Sequence, residues 1–211
     1  LLGHTWFGAG FPAPGGSFEG LTIGDYIEPP ISNISPASPL VLYTRGTSIS
    51  QTFAASYENH GLVSYAALAV DANAPLSLDL SSFSETLALS LGEHTVTLSI
   101  KDAAGNEVAK TWLVTVIQDL VTPAVTGIVQ NQKFTVGSPI TVNISDSLSG
   151  VDWDSLQVTF DNKDIAATIT MTADGFIIPA SLLKKGDHTI TISVSDHIGN
   201  ITVVKYEFKV K

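Results

Sequence analysis

Residues 92–106 read GEHTVTLSIKDAAGN, and residues 186–200 read GDHTITISVSDHIGN. The two stretches are identical at eight of fifteen positions, at an offset of 94 residues. The differences keep their character: Glu93 becomes Asp187, Val96 becomes Ile190, Leu98 becomes Ile192 and Ile100 becomes Val194. Agreement continues downstream, where Trp112, Val114 and Val116 align with Tyr206, Phe208 and Val210. Self-similarity at a fixed spacing marks a duplicated structural unit. Within each copy apolar and polar residues alternate with period two, the pattern of a half-buried strand. A turn follows at Ala103-Ala104-Gly105-Asn106 and again at His197-Ile198-Gly199-Asn200, and a second alternating run comes after it. Each copy is therefore expected to end in a β-hairpin.

Further strands extend the pattern upstream. In the second copy Ile140, Val142 and Ile144 alternate, then Leu156, Val158 and Phe160, followed by a polar turn at Asp161-Asn162-Lys163-Asp164. Ile49, Phe53 and Ala55, then Leu68 and Val70, are their counterparts in the first copy. No long segment carries a helical apolar period; Ser82 to Leu91 is the least clear, with room for a short helical turn. Six or seven short strands in about 90 residues predict an antiparallel sandwich with Greek-key connections. The expected organisation is all-β: an irregular segment at residues 1–31, one sandwich at 32–118 and a second at 119–211, with a hinge from Ile117 to Pro123. Leu1 to Pro30 mix glycine, proline and aromatics (Trp6, Phe7, Phe11, Phe18), which reads as the tail of a preceding domain or a strap on the first sandwich. The chain starts on leucine with no basic leader ahead of an apolar core, so it is read as a piece of a longer protein.

Composition bounds the function. The 211 residues carry 10 Lys+Arg against 20 Asp+Glu, a formal charge of −10, with 14% charged and 44% hydrophobic residues. With Arg45 as its one arginine, the surface is a poor match for nucleic acid. No apolar stretch approaches the roughly 20 residues of a membrane-spanning helix. The lack of cysteine excludes disulfides, thiolate–zinc sites and thiol nucleophiles. The chain has neither a His-Glu-x-x-His nor a Gly-x-Ser-x-Gly motif, and its early glycines lack the Gly-Lys-Ser/Thr of a phosphate loop. The histidines are His4, His60, His94, His188 and His197. His94 and His188 recur at equivalent strand starts, which favours a structural bond to a turn carbonyl over catalysis.

The motif G-[ED]-H-T-[VI]-T-[LI]-S-[IV]-x-D-x-x-G-N, with Ser149-Gly150-Val151-Asp152 after Asp146 and Thr122-Pro123 at the head of a repeat, resembles bacterial immunoglobulin-like repeat domains of secreted or surface-anchored multimodular proteins. Copy one departs from the pattern at Glu58-Asn59-His60-Gly61, where copy two has its acidic loop. The resemblance implies two tandem immunoglobulin-like β-sandwich domains. It also implies an extracellular setting, secreted or cell-wall associated. The expected function is a non-catalytic module that spaces or presents neighbouring domains of the same polypeptide. The parent protein is then a multimodular secreted hydrolase, lyase or adhesin. The alternative is a carbohydrate-binding or adhesive module whose partner is a cell-wall or environmental polysaccharide.

One constellation carries chemistry. Asp146, Asp152 and Asp154 are expected in the loop between the second and third strands of copy two, Asp196 and Asn200 in its last hairpin, and Asp119 in the hinge. An immunoglobulin-like topology gathers these loops at one pole. Ca²⁺ takes 6–8 oxygen ligands, which such a cluster can offer, and the resemblance to calcium-linked tandem domains points the same way. The opposing reading is that Asp and Asn are ordinary turn builders, because Asp196 and Asn200 recur as Asp102 and Asn106. For carbohydrate, Trp112 falls in the inward register. Trp153, expected in the acidic loop, reads as a packing anchor at the domain junction rather than a sugar platform.

Overall fold

The computed structural model describes residues 29, 31–57, 63–80 and 82–211. Most of the segment expected to be irregular, with His4 and Trp6, lies outside the described residues, as does Glu58-Asn59-His60-Gly61. Among the described residues every regular element is a strand. The first eight are β1 (Ile31–Ser35), β2 (Leu40–Thr44), β3 (Ser48–Tyr57), β4 (Val63–Val70), β5 (Leu76–Ser77), β6 (Ser82–Ser90), β7 (Gly92–Asp102) and β8 (Glu107–Gln118). Nine follow: β9 (Ala124–Thr126), β10 (Lys133–Phe134), β11 (Ile140–Ser145), β12 (Val151–Phe160), β13 (Lys163–Asp164), β14 (Thr170–Thr172), β15 (Gly175–Ile178), β16 (Gly186–Asp196) and β17 (Ile201–Val210).

The strands form four sheets. The first eight give a three-stranded sheet, β1-β3-β6, and a five-stranded one, β2-β8-β7-β4-β5. The last nine give a four-stranded sheet, β14-β15-β11-β9, and a five-stranded one, β10-β17-β16-β12-β13. The chain is thus all-β, two tandem immunoglobulin-like sandwiches.

Alternation places the core. Val96, Leu98 and Ile100 of β7 are fully buried, as are Ile190, Ile192 and Val194 of β16. In the first sandwich Trp112 of β8 is 0% exposed. It meets Phe53 of β3 at 5.4 Å between ring centroids and Phe83 of β6 at 6.5 Å, both edge to face. Its indole N–H donates to the Pro36 carbonyl at 2.8 Å, so a large buried side chain leaves no polar atom unsatisfied. In the second sandwich Ile140, Val142, Ile144, Phe176 and Ile178 come from one sheet. Val158, Phe160, Ile190, Ile192, Val194, Phe208 and Val210 come from the other, and all join one cluster. The closing hairpin is a continuous antiparallel ladder from Gly186↔Val210 to Ser195↔Ile201.

Two expectations are corrected. Ser82 to Ser90 form β6 rather than a helical turn, with Phe83 and Leu89 buried. Trp153 sits on a strand, not in a loop, and packs against the core of its own sandwich. The reason is a bulge. β12 pairs with β16 at Asp152↔Ser195 and resumes only at Gln157↔Ser193. The Ser155 hydroxyl stitches the bulge, donating to the Asp152 carbonyl at 2.6 Å and accepting from the Ser195 N–H at 2.8 Å. Such an irregularity bends the strand and redirects its side chains.

Candidate metal centre

The site grows out of the repeated turn. In the second copy Asp196 Oδ1 accepts the backbone N–H groups of Ile198 at 3.0 Å and Asn200 at 2.8 Å, and Oδ2 accepts Asn200 Nδ2 at 2.6 Å. The backbone closes the turn with Asp196 N–H to the Asn200 carbonyl and Gly199 N–H to the Asp196 carbonyl. The first copy repeats this bonding: Asp102 Oδ1 accepts Asn106 N–H at 2.8 Å and Oδ2 accepts Asn106 Nδ2 at 2.7 Å. Gly105 and Gly199 sit at φ 91° and 87°, where a side chain is strained. The D-x-x-G-N motif therefore encodes a turn tied at both ends by one carboxylate.

Both aspartates are held below the usual carboxylate range. For Asp102 the Asn106 side-chain bond is the main cause, against opposing burial. For Asp196 burial pushes the pKa up but is outweighed by the hydrogen bonds from the Asn200 backbone and side chain and the Ile198 N–H. The equivalent histidines meet the turn carbonyl expected of them. His94 Nε2 lies 2.9 Å from the Ser90 carbonyl and His188 Nε2 2.7 Å from that of Lys184, each four residues back.

Copy two adds acid to its turn. Asp119, Asp146 and Asp196 each place a carboxylate oxygen within 4.8 Å of the others. Asp119 is 0% and Asp196 1% exposed. Asp119 lies just after β8, where its oxygens accept Val121 N–H at 2.9 Å and Ser149 N–H at 3.1 Å. Asp146 caps the loop after β11, with Oδ1 accepting Leu148 N–H at 3.0 Å and Gly150 N–H at 2.9 Å. Its Oδ2 is buried with no hydrogen-bond partner. Asn200 Nδ2 reaches the carbonyls of Asp119 at 3.2 Å and Val121 at 3.3 Å, tying the turn to the incoming chain.

Of the six residues singled out in the sequence, the structure therefore brings four together: Asp119, Asp146, Asp196 and Asn200. Asp152 and Asp154 do not join them. They lie in the bulged start of β12, where Asp152 Oδ1 accepts the Asp154 N–H and Asp154 is exposed. Ser149, which donates its N–H to Asp119, was not singled out as a site residue; its place beside Gly150 in the acidic loop was the available signal.

Among the described residues no basic side chain pairs with the three carboxylates. Like charges this close repel by about 3 kcal/mol per pair at an effective dielectric near 20. A buried carboxylate oxygen left without a donor adds about 1–3 kcal/mol. Three hard oxygen donors, with Asp146 Oδ2 and the hydroxyl of nearby Ser149 both buried and without a hydrogen-bond partner, fit a hard divalent cation of the calcium type.

No family model matches the chain, and no curated protein matches it. Solved structures do. The fibronectin(III)-like modules of Clostridium thermocellum CbhA align at 16% identity and TM-score 0.43, over 86% of this chain and 94% of theirs. A chimeric titin Z1Z2 aligns at 13% identity and TM-score 0.43, over 88% and 99%. The Bacteroides ovatus protein SGBP-B, solved with a mixed-linkage heptasaccharide, aligns at 14% identity and TM-score 0.32, over 88% of this chain and 48% of its own. At these scores the architecture of this chain rests on its own sheets. Among the described residues no helix is long and apolar enough to cross a membrane.

Proposed function

We propose that this chain is a non-catalytic extracellular module that spaces or presents neighbouring domains of a larger secreted or cell-surface bacterial protein, with a Ca²⁺ site in its second sandwich. The observation that carries the metal is the triad Asp119, Asp146 and Asp196, with the unsatisfied Asp146 Oδ2. A bound ion would add a further tie between three segments already joined by hydrogen bonds: the entry to β9, the loop after β11 and the β16–β17 turn. The spacer reading is favoured over a sugar platform because Trp112 is fully buried in one core and Trp153, partly buried, packs against the other.

The test is thermal unfolding in EDTA and in millimolar Ca²⁺. An ion at one hundred times its Kd stabilises by about 2.7 kcal/mol. That raises Tm by roughly 10 °C in a domain of this size. Asp146→Asn keeps the Oδ1 acceptor and removes one charge. It is expected to be as stable as the wild type in EDTA, or more so, and to lose the calcium increment. An unchanged wild-type Tm in Ca²⁺ removes the metal and leaves the three carboxylates as turn builders.

A further inference from the structure

Among the described residues, the buried side-chain oxygens left without a hydrogen-bond partner are Asp146 Oδ2 and Ser149 Oγ, both in the loop after β11. Folded proteins pair nearly all their buried polar groups, so two orphans in one loop call for a cause. The loop sets Ser149 among all three acids of the site. Its backbone N–H donates to Asp119 Oδ2 at 3.1 Å, and the N–H groups on either side of it, those of Leu148 and Gly150, donate to Asp146 Oδ1 at 3.0 and 2.9 Å. Its hydroxyl lies beside the Asp196 carboxylate without reaching hydrogen-bond geometry. Asp196 has little call on it, because Oδ1 already accepts the N–H groups of Ile198 and Asn200, and Oδ2 accepts Asn200 Nδ2. A water in the gap leaves the three carboxylates repelling one another. A divalent cation offsets that repulsion and takes both orphan oxygens as donors.

Resting on the Ca²⁺ reading above, we infer that the Ser149 hydroxyl is a direct ligand of that ion, beside Asp119, Asp146 and Asp196, and that it sets the site's preference for hard cations. A hydroxyl oxygen is neutral, so it raises the coordination number without adding to the charge already crowded there. Sulfur in its place is soft and shifts the preference toward thiophilic metals.

The test is isothermal titration of the 211-residue chain with CaCl₂ and, separately, with CdCl₂, on the wild type, Ser149→Ala and Ser149→Cys. Ser149→Ala keeps the backbone N–H to Asp119 and removes an unpartnered hydroxyl, so its Tm in EDTA is expected to match or exceed that of the wild type. Its Ca²⁺ affinity is expected to fall about tenfold or more, the scale on which a metal site responds to loss of one supporting group. Ser149→Cys is expected to lose Ca²⁺ affinity in the same way and to gain affinity for Cd²⁺, with a sulfur-to-metal charge-transfer band in the ultraviolet. The chain has no cysteine of its own to produce one. A serine that only shapes the loop predicts neither change. A wild type that does not bind Ca²⁺ overturns the metal reading and this inference with it. A wild type that binds Ca²⁺ while Ser149→Ala binds it as tightly, or while Ser149→Cys gives no band with Cd²⁺, overturns the ligand role alone and leaves the ion to the three carboxylates.

Discussion

Trp112→Ala is expected to unfold the first sandwich at temperatures where the wild type is folded. Truncating a buried tryptophan costs about 3–5 kcal/mol, depending on how far the site collapses. Collapse is limited here, because Phe53 and Phe83 approach the ring from separate strands of the facing sheet. The Pro36 carbonyl also loses its donor, a further cost of about 1–3 kcal/mol. A domain holds about 5–15 kcal/mol in total, so the loss is a large part of what there is. Limited proteolysis reads the result: cleavage should appear within residues 31–118 while fragments from 124–210 persist. Trp112→Phe keeps an aromatic ring facing Phe53 and Phe83 while removing the hydrogen bond and the indole's extra ring volume. It should fall between wild type and alanine. A Trp112→Ala variant that melts with the wild type would mean that the aromatic cluster does not hold this core.

The duplicated hairpin was legible because period two and the D-x-x-G-N turn are both local signals. Val96, Leu98 and Ile100 alternate without exception, and the sheet does with them what the pattern predicts. β6 shows why its reading stayed open. Its inward positions are Phe83, Glu85, Leu87 and Leu89, so a charged residue breaks the alternation, while Phe83 and Leu87 stand at helical spacing. Placement in a sheet beside β3, not local preference, makes it a strand.

The candidate site divides in the same way. Asp146 and Asp196 follow from topology, because loops that end neighbouring strands share a pole. Asp152 and Asp154 fail because the bulge between Asp152 and Gln157 leaves no mark in the sequence. The pairing of His188 with Asp161, 27 residues apart, is equally silent there, since only the tertiary fold brings the turn after β12 to the start of β16.

That pairing carries the other large effect. His188→Ala is expected to destabilise the second sandwich more at pH 5.5 than at pH 9. The ring lies beside Phe160 and Phe208, with centroids at 5.0 and 5.8 Å, so its removal opens a cavity worth about 2–4 kcal/mol at any pH. The pH-dependent part comes from the nitrogens. Nδ1 is 2.8 Å from Asp161 Oδ2 and Nε2 is 2.7 Å from the Lys184 carbonyl oxygen. Both partners only accept, so the protonated ring, with hydrogen on both nitrogens, is the form that satisfies both contacts. Burial pulls its pKa down. The Asp161 hydrogen bond, the Lys184 carbonyl and the charges of Asp161 and Asp187 outweigh burial and raise it. Of the other charges lining its groove, Lys209 pairs with Asp187 at 3.0 Å, and Lys133 and Glu207 are of opposite sign. A folded pKa above the unfolded value near 6.5 gives stability that is full below about pH 6.5 and is lost as pH rises through the folded value. Wild-type Tm should therefore fall on the alkaline side, and His188→Ala should be flat there. Asp161→Asn should reduce the slope while keeping the ring packed, because an amide oxygen can still accept the Thr189 N–H. Thermal melts from pH 5 to 9 on the three proteins decide it. A wild-type-to-alanine difference that does not change with pH would mean a neutral ring and a role in packing alone.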